Sequence, residues 1–149
     1  MSAAGQRRAL VTGAASGIGL AVARRLRREG ADVLAVDINE KGLAEAAAAG
    51  CEIMTANLAE PAERDRVAAA AEGIDYLVNA AGIIRLKPIF EFTVEDWRQI
   101  FAINAESIFF LCQAIGPRMR PGGAIVNLSS SSAKLAPTIE AAVYAASKT

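Results

Sequence analysis

The sequence predicts an open α/β domain, a parallel sheet with helices packed on both faces. Three observations lead there. Short apolar runs alternate with longer stretches of helical period along the whole chain, with no internal domain boundary and no fixed-period repeat. The first run, Ala9-Leu10-Val11, passes through the glycine-rich stretch Thr12–Gly19 into an amphipathic helix within the first thirty residues. An acidic residue, Asp37, closes the second run. Strands joined in this β-α order lie parallel and require right-handed crossovers.

Bulk properties narrow the function. At 149 residues, 53% hydrophobic and 21% charged, the chain reads as one soluble globular domain with a sizeable core. Sixteen basic residues balance sixteen acidic ones, which argues against a general nucleic-acid or anionic-membrane surface. The chain has no His, and Cys51 and Cys112 stand far apart, so no metal site is expected and two buried thiols are preferred to a disulfide. The first eight residues hold no signal-peptide core. The apolar stretch Ile100–Gly116 is interrupted by Asn104, Glu106, Ser107 and Gln113 and is short for a membrane span. A cytoplasmic, reducing location is the expectation.

The elements follow in order. Residues 1–7 form a loose tail and Arg8–Thr12 the first strand. Ile18–Glu29 is the first helix: Ile18, Val22 and Leu26 share one face, the arginines 24, 25, 27 and 28 face largely solvent, and Gly30 ends it. Asp32–Asp37 is a second strand, apolar enough for a sheet covered on both faces. Asn39 caps a helix running through Leu43 to Ala49, and Gly50 closes it. Cys51–Thr55 is the third strand, with Asn57 just beyond. Pro61 suits the first turn of a helix through Val67 and the alanines 68–71, which Gly73 stops. Ile74–Asn79 is the fourth strand, followed by Ala80-Ala81-Gly82. Thr93 caps one long helix from Val94 through Asn104 to Ile115, ended by Gly116-Pro117. Pro121-Gly122-Gly123 turns into the fifth strand, Ala124–Leu128. A serine run and a loop containing Pro137 precede a last helix around Ala141–Lys148.

The chemistry-bearing residues cluster at strand ends. Gly13, Gly17 and Gly19 are spaced G-x-x-x-G-x-G, with Ser16 and Ile18 in the same turn. Such a turn lets a backbone approach closely and aims helix-terminal N–H groups at an anion, and a pyrophosphate suits it best. Asp37 lies eighteen residues after Gly19, where a carboxylate can accept from both hydroxyls of an adenosine ribose and repel a 2′-phosphate. Neither Ala14, Ala15 nor Ile38 supplies a basic replacement, so NAD is preferred to NADP. Asn57, beside Leu58, either contacts adenine or caps its own turn. Asn79, Ala80 and Gly82 permit close approach of a ligand or of a neighbouring strand.

Asn104 is an amide among apolar neighbours, and must find partners inside the fold. It is either a satisfied structural amide or one that orders a water near the strand ends. Tyr144 and Lys148 are four apart, one above the other on a helix face. A nearby ammonium favours tyrosinate, making the tyrosine a proton donor or acceptor near neutral pH, and a serine at the end of the fifth strand can hold the same substrate oxygen.

Residues 8–148 resemble the classical branch of the short-chain dehydrogenase/reductase family, which includes ketoacyl carrier-protein reductases and sugar or polyol dehydrogenases. The resemblance rests on Thr12–Gly19, Asp37, Asn79-Ala80-Ala81-Gly82, Asn104, the serine run and Tyr144-Ala145-Ala146-Ser147-Lys148. It implies a Rossmann-like fold, NAD as cofactor, and a small-molecule carbonyl or secondary alcohol as substrate. It further implies Tyr144 as catalytic acid/base and Ser130 polarising the reacting oxygen. Lys148 would hold the nicotinamide ribose and lower the Tyr144 pKa, and Asn104 would support a proton-relay water. The full-length protein would be a homodimer or homotetramer.

Two departures stand out. Counting from the fifth strand places the family serine at Ser130, whereas counting back from Tyr144 gives Ser131; strand-end registration favours Ser130. The sequence also stops one residue after Lys148, so about five of an expected seven strands are present. Residues 1–149 then read as the N-terminal portion of one dinucleotide-binding domain without its substrate-binding part, with an exposed sheet edge. The competing reading is a non-catalytic dinucleotide-binding or assembly fragment. A generic α/β domain accounts for the strands and glycines but not for Asp37, Asn104, Tyr144 and Lys148 together.

Overall fold

A computed structural model describes residues 6–135 and 138–149; the first five residues of the expected tail and Pro137 lie outside the described residues. Five parallel strands form one sheet: β1 (Arg8–Thr12), β2 (Asp32–Asp37), β3 (Glu52–Thr55), β4 (Tyr76–Asn79) and β5 (Ala124–Asn127). Their order is β3-β2-β1-β4-β5. The chain therefore winds outward from β1 in one direction, returns, and continues from β4 in the other. The tips of β1 and β4 are level, Thr12 beside Asn79, and a crevice opens between them at the reversal.

Alternation along each strand divides the core in two. Ala9 and Val11 of β1 turn with Val33 and Ala35 of β2 toward α1 (Gly17–Arg28) and α2 (Glu40–Ala48), where Leu20, Ala23, Leu43 and Ala46 meet them. Leu10, Leu34, Val36 and Leu77 face the other way, onto α3 (Pro61–Ala70) and α5 (Ser107–Ile115) through Val67, Leu111 and Ile115. Burial on both faces explains why β1, β2 and β4 read as nearly continuous apolar runs. By contrast β5 is exposed along its whole length, with Val126 at 51%, and forms the sheet edge among the described residues.

The expected caps hold. Asn39 Oδ1 accepts from the Gly42 N–H at 3.1 Å, and Pro61 occupies the first turn of α3. Thr93 and Asp96 cap α4 (Val94–Phe101) reciprocally, each side chain accepting from the other's backbone N–H. Strand and helix boundaries differ from the sequence reading by one or two residues. The expectation of one uninterrupted helix from Val94 to Ile115 is corrected: a π segment, Ala102–Glu106, separates α4 from α5. The helical run Val94–Arg118 is long and apolar enough by length and composition to cross a membrane, longer than the stretch read from sequence. Here Leu111 and Ile115 lie in the core beneath the sheet, and Ile100 is buried as well. The last helix, α6, spans Ala142–Ser147.

At the opposite end of the sheet, Asp75 is buried at 1% exposure. It accepts from the Arg8 N–H and the Arg7 guanidinium at 2.8 Å each, and from Arg120 at 3.2 Å. Burial pushes its carboxyl up, but these bonds and the arginine charges outweigh it and hold it below the usual carboxylate range. The sequence offered no signal for this tie.

Candidate functional site

The glycine turn is built by close backbone packing. Thr12, 1% exposed, accepts through Oγ1 from the N–H groups of Ala80 and Ala81, both at 3.1 Å, stitching the tip of β1 to the segment after β4. A Cβ on Gly13 would lie 2.7 Å from the Ala81 nitrogen, and one on Gly19 would collide with the Gly13 carbonyl. These two glycines let the protein fold onto itself. Gly17 differs: its φ is +53°, and a Cβ there would meet nothing within 4 Å. It faces the space where a ligand would lie, at the N-terminus of α1.

Electrostatics suit an anion there. The first turn of α1 carries no acidic residue, its last turn carries Arg25, Arg27 and Arg28, and Ser16 at the N-cap makes no side-chain capping bond. Free N–H groups and the positive end of the helix dipole thus face the crevice, with the Ser16 hydroxyl available beside them.

Next to this turn a cleft of about 830 Å³ opens over the strand tips. Gly13, Ser16, Gly17, Ile18, Gly19, Asp37, Asn57, Leu58, Ala80 and Gly82 all line it, so ten of the sequence-predicted binding residues converge on one space. Asp37 already holds its own surroundings: Oδ2 accepts from the Ala15 N–H at 3.0 Å and Oδ1 from the Asn39 N–H at 2.9 Å. Each oxygen keeps a second lone pair for a ligand hydroxyl. Asn57 caps its own turn, accepting from the Ala59 N–H at 3.1 Å, and lines the cleft as well. Asn79 is not at the cleft surface. It is 1% exposed and ties β4 to β5 through Nδ2, which donates to Asn127 Oδ1 at 2.8 Å and to Cys112 Sγ at 3.4 Å. Its Oδ1 is the one buried side-chain oxygen without a partner among the described residues.

None of the four expected catalytic residues lines the cleft; Asn104 and Lys148 line a second recess beside β5, and Ser130 and Tyr144 line neither. Asn104 sits in the π segment, and its amide is fully engaged. Oδ1 accepts from the Ile83 N–H at 2.8 Å, and Nδ2 donates to the Ile83 carbonyl and to Ser147 Oγ, both at 2.9 Å. The side chain thus finds partners inside the fold and fixes the segment after Gly82 against α6. Lys148 reaches in from the end of α6. Its Nζ donates to the Leu128 carbonyl at 3.1 Å and would lie 3.3 Å from a Cβ on Gly82. Burial pushes the Lys148 ammonium below the ordinary lysine range.

Ser129 donates to the Lys148 carbonyl at 2.9 Å, and Ser130 Oγ accepts from the Ser132 N–H at 3.2 Å. Ser131 opens a short 3₁₀ turn (Ser131–Ala133). Tyr144 is half-buried on α6, its carbonyl held by Ser147 Oγ at 2.7 Å. Ser130 thus caps the turn that follows β5, whereas Tyr144 lies on α6 and Lys148 just after it; among the described residues no hydrogen bond joins the three side chains.

Three residues that shape the site were not singled out from sequence. Thr12 carries no signal beyond its place in the turn. Ser147 looks like a spacer inside Tyr144–Lys148. Arg64, buried at 7%, donates to the carbonyls of Leu58 and Ala59 at 2.9 and 3.0 Å and so holds the loop after β3.

A model of the short chain dehydrogenase family matches residues 7–149. D-threitol dehydrogenase of Mycolicibacterium smegmatis is 45% identical over 142 residues, covering 86% of this chain and 54% of that protein. Gluconate 5-dehydrogenase of Gluconobacter oxydans is 40% identical over 141 residues, covering 87% and 55%. Among solved structures, a glucose/ribitol dehydrogenase of this type from Brucella melitensis superposes with a TM-score of 0.88 at 32% identity, covering 95% of this chain and 63% of that one. A blue fluorescent protein from a metagenomic library, in complex with NADPH, gives 0.87 at 33% identity, with coverages of 95% and 63%. The chain spans about half the length of the curated relatives it matches.

Proposed function

Because this chain belongs to the short-chain dehydrogenase/reductase family and carries its dinucleotide-binding Rossmann fold, we propose that it serves an NAD(H)-dependent oxidoreductase interconverting a carbonyl and a secondary alcohol. The observation that carries this reading is the single cleft shared by the glycine turn, Asp37 and Gly82, with Lys148 directly behind Gly82. The N-terminus of α1 and Ser16 hold the pyrophosphate, and Asp37 holds the adenosine ribose. When bound, the nicotinamide supplies or accepts the hydride.

The protein residues handle orientation and the proton. Tyr144 donates its phenolic proton to the developing alkoxide oxygen in reduction and recovers one in oxidation. Ser130 keeps its own hydroxyl proton to donate to the same oxygen. Lys148 holds the nicotinamide ribose from the floor of the site. Asn104 acts by positioning, since its amide is already committed to Ile83 and Ser147. The preference for NAD over NADP rests on Asp37, whose charge opposes a 2′-phosphate. The relatives point to polyols, sugar acids or related secondary alcohols as substrates. Both described cysteines are free thiols, in keeping with a reducing, cytoplasmic setting.

Calorimetric titration tests the cofactor half: NADH is expected to bind more tightly than NADPH, and Asp37→Ala to weaken NADH and narrow the difference. Equal or tighter binding of NADPH refutes the assignment. For the reaction, Tyr144→Phe within the enzyme is expected to abolish most turnover while leaving NADH affinity unchanged. A second reading, dinucleotide binding without turnover, is favoured by the placement of Ser130, Tyr144 and Lys148, none of which lines the cleft. Binding of NADH with no oxidation of it by any of a panel of small ketones would support that reading.

A further inference from the structure

We propose that Arg98 binds the adenine base of the dinucleotide, laying its guanidinium over the outer face of the ring; the inference rests on the dinucleotide reading above. Arg98 stands on the face of α4 that walls the cleft, in line with Ala102 and Ile103 one turn further along. It is the one cation among the described residues lining that space, against three carboxylates: Asp37, Glu60 and Glu95.

Two of its polar neighbours, Gln99 and Asp96, are engaged elsewhere. Gln99 donates to Glu95 at 2.8 Å and accepts from Arg85. Asp96 takes Lys87 at 2.6 Å and both donors of Thr93. Among the described residues Arg98 has no ion pair and no side-chain hydrogen bond, and it is exposed. A long flexible cation with no protein partner, at the wall of a ligand cleft, is placed to meet the ligand.

Which part of the ligand it meets follows from the arrangement. The phosphates belong at the N-terminus of α1, and the adenosine ribose at Asp37 on the tip of β2. The base then extends toward the next strand outward, β3, whose following loop Ala56–Glu60 lines the cleft opposite Arg98. Arg64 pins that loop by its Leu58 and Ala59 carbonyls, so this wall of the base pocket is firm. A phosphate beside Arg98 would also lie near Glu60 and Glu95, which repel it. A neutral aromatic ring is untouched by those carboxylates and is attracted by the guanidinium. Arginine is weakly hydrated and planar, and stacks on π-faces in a way that an ammonium does not match.

Isothermal titration with ADP-ribose and 2′-phospho-ADP-ribose on the wild-type chain, Arg98→Ala and Arg98→Lys tests the assignment. Arg98→Ala is expected to weaken both ligands by the same factor, about fivefold for an exposed cation–π contact. Arg98→Lys is expected to recover little of it, and the factor to persist in 0.5 M salt. Two outcomes overturn the base contact. In one, Arg98→Ala binds ADP-ribose as the wild type does. In the other, the loss is confined to the 2′-phospho ligand, is restored by Lys and vanishes in salt, which marks a phosphate contact. Failure of the wild-type chain to bind ADP-ribose at all overturns the dinucleotide reading and this inference with it. An unchanged Arg98→Ala beside a binding wild type overturns the inference alone.

Discussion

Thr12→Val isolates the stitch between the two halves of the sheet. Valine keeps the shape of threonine and replaces the hydroxyl with a methyl group. Two backbone N–H groups, those of Ala80 and Ala81, lose their acceptor together. Thr12 is 1% exposed, so water does not take its place. Each orphaned buried donor costs about 1–3 kcal/mol, and one can relax partly toward another acceptor, so the expected loss is about 2–4 kcal/mol. For a chain of this size that corresponds to a fall in Tm of about 5–12 °C. Urea unfolding followed by far-UV circular dichroism measures the loss directly, with the m-value expected to stay constant. Thr12→Ser is the control: it keeps the oxygen and removes only a methyl group, at a cost of about 1 kcal/mol. The reasoning fails if Thr12→Val is as stable as Thr12→Ser. Because Ala80 and Gly82 line the cleft, Thr12→Val should also weaken ADP-ribose, and Thr12→Ser should not.

Two further outcomes are expected. Gly17→Ala and Gly73→Ala both place a side chain at positive φ with open space around Cβ, so each should cost about 1–2 kcal/mol of stability. Only Gly17→Ala should reduce ADP-ribose affinity, by tenfold or more in calorimetry, because its methyl group enters the ligand's space; equal binding by both variants would contradict the placement of the pyrophosphate. Asp96 is held far below the usual carboxylate range by Lys87, by the Thr93 N–H and by the Thr93 hydroxyl. A depressed carboxylate contributes stability that is complete above its unfolded pKa near 4 and is lost as pH falls toward the folded value. Asp96→Asn should therefore lower the urea midpoint at pH 7, with the difference from wild type shrinking below pH 4. A constant difference down to pH 2 would show that the charge is not what Lys87 and Thr93 hold.

The sequence was most legible where a local rule speaks. Gly13 and Gly19 mark their turn because a Cβ at either meets backbone, Gly17 because of its positive φ, and Asp37 and the caps at Asn39, Pro61 and Thr93 follow from strand ends and helix starts. Long-range polar contacts were silent. Asp75 meets Arg120 across forty-five positions, and Asn104 meets Ser147 across forty-three, so no window of sequence holds both partners. Asn104 did announce itself, as an amide in an apolar helix, but not the partners that would satisfy it. Arg98 was passed over for a related reason. The positions beside Asp37 in sequence and in the glycine turn, Ile38, Ala14 and Ala15, carry no cation, whereas α4 brings one to the cleft from about sixty positions later.

The π segment has a consequence for how this chain tolerates change. A π turn holds one residue more than the α turn it replaces, so Ala102–Glu106 acts as a one-residue insertion inside an otherwise regular helix. Each residue advances an α-helix by about 100° around its axis. Because the turn takes up its extra residue locally, α4 keeps the phase of one continuous helix with α5, which Leu111 and Ile115 anchor in the core. Removing a single residue there, such as Ala105, would let the segment rewind as an α turn with Glu95, Arg98 and Gln99 still lining the cleft. Substitutions along α4 alter one side chain at a time. A deletion inside α4 has no bulge to absorb it and would turn the residues before it by about 100°, so the cleft tolerates a change of length at Ala102–Glu106 better than one along α4.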